Sequence, residues 1–203
     1  MSSFQITPKL TKTAIFVTFS GRKLEMATLT FFEFKNFLQE NYPNYDQHFF
    51  MDKKTLWYTK GIDDITTNVD DTLDYLKPII NGYDIVIFIG ASMGGFAALL
   101  YGSLLNVNYV IAFRPQSIIS LNDNINYDSQ YLDLKSIINF TTEYHLYGDS
   151  NITDLNDIHN IIHCKRLLNK NNVKLYEYEN FDIKCYRDSG KLKTDFHNIL
   201  KNI

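Results

Sequence analysis

Short apolar runs alternate along the chain with longer stretches of helical periodicity. The runs predict strands at Ala14–Phe19, His48–Met51, Ile85–Ile89, Tyr109–Phe113, Tyr144–Tyr147 and Val173–Tyr178. Between them, apolar residues three and four apart predict helices over Phe31–Glu40, Thr67–Ile80, Met93–Leu105, Asp154–Lys170 and Ser189–Asn202. The third of these is almost wholly apolar and is expected to be buried. The fourth is drawn on Leu155, Ile158, Ile161, Ile162 and Leu168. Six strands alternating with helices imply right-handed crossovers and a mainly parallel sheet. Ligands bind such sheets at the carboxyl ends of the strands. The loops after Phe19, Met51, Ile89, Phe113, Tyr147 and Tyr178 are therefore the places to look for chemistry.

The 203 residues suit one domain, 1–203, with a substantial core. A net charge of -3 argues against a nucleic-acid binder. Cys164 and Cys185 are too few and too far apart for a disulfide framework or a metal knuckle. No charge interrupts Ile85–Phe113, a stretch long enough to span a bilayer. Glycines, serines and asparagines divide it into strand, turn, helix and strand, which is how a doubly covered sheet centre reads. The first residues, Met1–Lys9, lack a basic start followed by an apolar stretch. The expectation is a cytoplasmic protein with no membrane partner, no nucleic-acid partner and no cofactor.

One loop is specific. Ile85–Ile89 runs into Gly90-Ala-Ser92-Met-Gly94-Gly95 and then a predicted helix. Gly-x-Ser-x-Gly between a strand and a helix is the pattern of a nucleophile elbow. The serine sits on a strained turn, small neighbours prevent clashes, and the hydroxyl projects at the positive end of the following helix. The Met93 amide would then point into an oxyanion hole. A glycine-rich turn that serves only packing, or a phosphate cradle, is the alternative. The lysine or Gly-x-Gly-x-x-Gly that phosphate binding favours is absent.

With this motif the sequence resembles the α/β-hydrolase superfamily. Further residues carry the likeness: Thr18–Gly21, Phe32–Phe34, Trp57 and Tyr58 with Gly61, Gly90–Gly102, and Ala112–Gln116. They look like a compact, lid-less group of hydrolase-like proteins, several linked to surface-polysaccharide genes. The resemblance implies a three-layer α/β fold of about six strands, a minimal version without the first two strands. It implies a serine esterase or O-acyltransferase acting on a small or carbohydrate-linked ester through an acyl-enzyme on Ser92. Ser20 or Gly21 would supply the second oxyanion amide. Arg114, Trp57 and Tyr58 are candidate substrate contacts.

The acid and base are sought in the order Ser, acid, His. Asp149 after the fifth strand fits the acid, with a helix cap or turn as its alternative role, and Asp154 and Asp157, deeper toward or inside the predicted helix, fit less well. The loop after the sixth strand, from Glu179, holds no histidine, and Asn180 stands near the place where related sequences carry one. Asn cannot act as a general base. His197 is the sole histidine beyond the last strand and becomes the candidate by chain order. His48 and His145 read as structural. His159 and His163, four apart on the predicted fourth helix, read as a solvated face, since His-Glu-x-x-His is absent and no third ligand is evident, so no metal is expected. The second hypothesis is a hydrolase-fold binding or scaffold protein that has lost its base.

Overall fold

The computed structural model describes residues 13–22, 32–119 and 129–201. Met1–Lys9, Phe31 and Asn202, on which some of the expectations fall, lie outside them. Six strands form one sheet: β1 (Ala14–Phe19), β2 (Asp46–Phe50), β3 (Ile85–Ala91), β4 (Tyr109–Phe113), β5 (Glu143–Asp149) and β6 (Val173–Tyr178). Their order is β2-β1-β3-β4-β5-β6 and every pair is parallel. This is the three-layer α/β arrangement expected from the alternation of elements. The chain leaves β1 in one direction and β3 in the other, so the two central strands flank a topological switch point.

Alternation along β1 divides the core. Ile15, Val17 and Phe19 face one cluster, while Ala14 and Phe16 face the other. On the first face lie α2 (Val69–Ile80), α3 (Met93–Leu104) and the short α4 (Ile162–Lys165). On the second lie α1 (Lys35–Asn41), α5 (Ile183–Asp188) and α6 (Lys191–Lys201). Helix α3 packs on β1, β3 and β4, and every residue from Met93 to Ser103 is buried. The charge-free stretch is thus the sheet centre. Among the described residues no helix is long and apolar enough to cross a membrane.

Two helix expectations need correction. The region drawn as one helix over Asp154–Lys170 is mostly a chain of turns, with only Ile162–Lys165 helical. Three side chains explain this. Asp154 accepts from the Asn156 amide at 2.9 Å, Asp157 from the His159 amide at 2.7 Å and Asn160 from the Ile162 amide at 2.8 Å. Each such turn offers the backbone a local partner in place of the helical one. Leu155, counted toward an apolar helix face, is 82% exposed. The last predicted helix is preceded by another, α5, capped by Asp182, whose carboxylate accepts from the Cys185 amide. Gly190, at φ +79°, separates the two.

Candidate active site

The end of β3 enters α3 through a tight turn. Ser92 adopts φ +53°, ψ −118°, a conformation that costs a non-glycine residue about 1–3 kcal/mol. Its amide donates to the Phe113 carbonyl at 2.9 Å, and its carbonyl accepts the first helical bond, from Phe96, at 3.0 Å. Contact makes the neighbouring glycines obligatory. A Cβ on Gly90 would stand 2.1 Å from the Gly94 carbonyl oxygen, and one on Gly94 would stand 2.0 Å from that of Phe19. Backbone pressed this closely from both sides holds the serine up from the sheet. Ser92 is half-buried and opens into a cavity of about 210 Å³. Gly21, Glu33, Phe113, Arg114 and His159 are among its walls.

His159 is the residue that meets the serine. Its Nε2 lies 2.8 Å from the Ser92 hydroxyl. The turn made by Asp157 places it, through the bond from the His159 amide. The same carboxylate oxygen lies 3.8 Å from Nδ1, on the opposite side of the ring. That exceeds hydrogen-bond distance but leaves the negative charge adjacent. With the ring proton on Nδ1, Nε2 accepts from the serine hydroxyl. Burial, and then the positive charge of Arg114, push the His159 pKa below its ordinary value, with Asp157 opposing them. The lowered pKa favours the neutral imidazole.

The residues named from sequence separate into those that meet Ser92 and those that do not. His197 is exposed on α6, next to Phe196, whose ring packs on Phe16, Phe37 and Tyr42. Phe16 lies in the body of β1, away from its carboxyl end, so His197 is carried away from the serine. Asp149 is buried at the end of β5, yet its hydrogen bonds run to backbone. It accepts from the amides of Asn151 at 3.0 Å, Asn180 at 3.1 Å and Phe181 at 2.8 Å. No histidine is among these partners; the carboxylate ties the β5 loop to the β6 loop. Asn180, at φ +55°, accepts from the Asn151 side chain at 3.1 Å. His163 takes part in a different contact, accepting at Nδ1 from the Ser117 amide at 3.2 Å. Among the described residues no group of three or more His, Cys, Asp or Glu could hold a metal ion.

The oxyanion candidates also differ among themselves. The Met93 amide, first in α3, has no acceptor within its own helix. The Ser20 amide is already engaged, donating to the Phe50 carbonyl at 3.0 Å as the sheet edge continues. Gly21 lines the cavity, and its amide donates to the Glu33 carboxylate at 3.0 Å. The Ser20 hydroxyl accepts from the Glu33 amide at 3.2 Å and so steadies that residue.

Tyr58 is wholly buried and is not a wall of the Ser92 cavity. Its hydroxyl donates to the Ser20 carbonyl at 2.8 Å, which braces the loop carrying Gly21. Trp57 donates from its indole to the Gln116 side chain and is not a wall of the Ser92 cavity. Arg114 does line it, at φ +41°, with its amide donating to the Tyr147 carbonyl. The sequence signal for His159 was Asp154, Asp157 and Asn160 at intervals of three. A series of turn-forming side chains argues for loop where apolar spacing argued for helix.

No protein-family model and no curated protein sequence matches the chain. Solved structures do. The capsule O-acetyltransferase of Neisseria meningitidis serogroup A, in complex with caged gadolinium, superposes at a TM-score of 0.61 with 22% identity, over 90% of this chain and 86% of that one. A mutant of that enzyme in complex with CoA gives 0.59 and 18%, over 90% and 87%. An α/β-hydrolase enzyme from the metagenome of lagoon sediments at Mar Chica, Morocco, gives 0.57 and 16%, over 94% and 93%. At these identities the likeness is one of fold. The chain has the α/β-hydrolase fold, as the resemblance in its sequence implied.

Proposed function

We propose that the protein is a serine-dependent esterase or O-acyltransferase whose nucleophile is Ser92 and whose base is His159. The observation that carries this is the 2.8 Å contact between the Ser92 hydroxyl and His159 Nε2, at a strained elbow. In the first step Nε2 takes the hydroxyl proton as Oγ bonds to the acyl carbon. The carbonyl oxygen becomes an oxyanion at the Met93 amide, and at the Gly21 amide once Glu33 turns away. Collapse of the intermediate breaks the bond to the alcohol or thiol, which leaves with the proton from His159. Water or a sugar hydroxyl then repeats the sequence on the acyl-enzyme. Asp157, rather than Asp149, lies beside the imidazolium that forms. The neighbouring O-acetyltransferase and its CoA complex favour transfer from a thioester to a carbohydrate hydroxyl. The alternative of a scaffold without a base drew on the histidine-free β6 loop, and His159, from the preceding loop, removes that ground.

A fluorophosphonate probe with mass spectrometry tests the reading. It should label Ser92, fail on Ser92→Ala, and react at least about a hundredfold more slowly with His159→Ala. His197→Ala should react like the parent. Equal labelling of parent and Ser92→Ala would refute the assignment.

A further inference from the structure

A second cavity, of about 240 Å³, lies beside the first, between α1 and α5. The two share Glu33 and Ile183 as walls, so they adjoin in one cleft region, and Ser92 lines only the first. Phe34, Phe37 and Leu192 give the second cavity apolar walls, and Lys35, Lys184 and Arg187 give it positive charge. Arg187 is bridged to Asp188 at 2.8 Å. Lys35 lies over the Phe32 ring at 5.8 Å. Among the described residues no carboxylate is bridged to Lys35 or Lys184, a state they share with most of the described lysines. At the Ser92 end the cleft adds Arg22 and Arg114. Cations gather along one cleft of a chain whose net charge is -3. The carboxylate at the boundary, Glu33, is turned to the Gly21 amide.

We propose that this cleft holds a phosphate-bearing acyl-thioester donor. Its phosphates meet Lys35 and Lys184, its uncharged arm crosses Phe34 and Phe37, and its thioester reaches Ser92. This rests on Ser92 being the acyl-accepting nucleophile. Transfer forms the bond from Ser92 Oγ to the acyl carbon and breaks the carbon–sulfur bond. The thiolate leaves with the proton that His159 took from the serine. Lysine binds phosphate as a point charge, and an ammonium without a carboxylate partner has no ion pair to break before doing so. A small neutral ester would occupy the Ser92 cavity alone and make no use of these charges.

The test compares acetyl-CoA, S-acetylpantetheine, which has no phosphate, and p-nitrophenyl acetate on the full chain. The Lys35→Glu/Lys184→Glu double variant should raise KM for acetyl-CoA at least about tenfold. It should weaken CoA binding in calorimetry by a similar factor. It should leave kcat/KM for p-nitrophenyl acetate and S-acetylpantetheine unchanged, which also shows that the variant is folded. An unchanged KM for acetyl-CoA and unchanged CoA binding in the variant would overturn the proposal, as would failure of CoA to bind the parent at millimolar concentration. If the probe fails to label Ser92, the enzymatic reading falls, and the CoA isotherms alone still decide what the cleft binds.

Discussion

Replacing Asp157 by asparagine isolates one charge at the site. Asparagine keeps the Oδ1 that accepts from the His159 amide, so the turn that places the histidine survives. Only the negative charge 3.8 Å from Nδ1 is lost. The side chains of His159 and Asp157 are 26% and 42% exposed, so the effective permittivity is well above that of a dry interior. Between about 40 and 80 it makes the attraction to an imidazolium about 1–2 kcal/mol. That is a factor of roughly 5–30 in the rate of acylation. A buried acid hydrogen-bonded to its histidine is worth about 10⁴. The assay is the pre-steady-state burst with p-nitrophenyl acetate, on the alkaline plateau where His159 is neutral in both proteins. Asp157→Ala loses the turn as well and should be slower still. A loss of a thousandfold or more in Asp157→Asn would refute the reasoning, because it would require a direct hydrogen bond in the working enzyme. A loss below twofold would show that this charge plays no part.

Three further outcomes follow from the same contacts. The His159 pKa is lowered, chiefly by burial and then by Arg114, and on the proposed role its neutral form is the base, so activity should rise through a pKa below 6.5 and be level above it. Arg114→Met removes an opposing charge, and the acid limb of the pH–rate profile should move to higher pH; a move to lower pH would exclude that cause. Asp149→Ala leaves the Asn180 and Phe181 amides without their acceptor and should cost about 2–4 kcal/mol, read as a thermal midpoint lower by roughly 5–15 °C. Full stability with a 10⁴-fold slower burst would instead make Asp149 the catalytic acid. Glu33→Ala frees the Gly21 amide and takes a negative charge from beside the developing oxyanion, so acylation by a neutral ester should quicken several-fold, about 1 kcal/mol; a slower reaction would mean that Glu33 assists.

Local chemistry determined much of this molecule from sequence alone. The runs at Ala14–Phe19 and Tyr109–Phe113 coincide with β1 and β4, because a strand covered on both faces has little choice but continuous apolar residues, and Val173–Tyr178 coincides with the edge strand β6, where Val173, Leu175 and Tyr176 alternate with Lys174 and Glu177. Gly90, Ser92 and Gly94 marked the elbow for a reason equally local: two backbones approach too closely for any side chain. The partner of the serine was a different kind of question. Five histidines lay along the chain, and chain order pointed to His197, which α6 carries away on its exposed face. His159 reaches Ser92 across 67 positions because the Asp157 turn replaces a helix in the loop after β5. Apolar spacing favoured the helix and three turn-forming side chains favoured the loop. Only packing against the finished sheet, with Ile161 buried over Gly148, decided between them. Elements were legible because hydrophobic period and backbone sterics act within a few residues. The pairing of His159 with Ser92 was not, because it depends on where distant loops come to rest above the same strand ends.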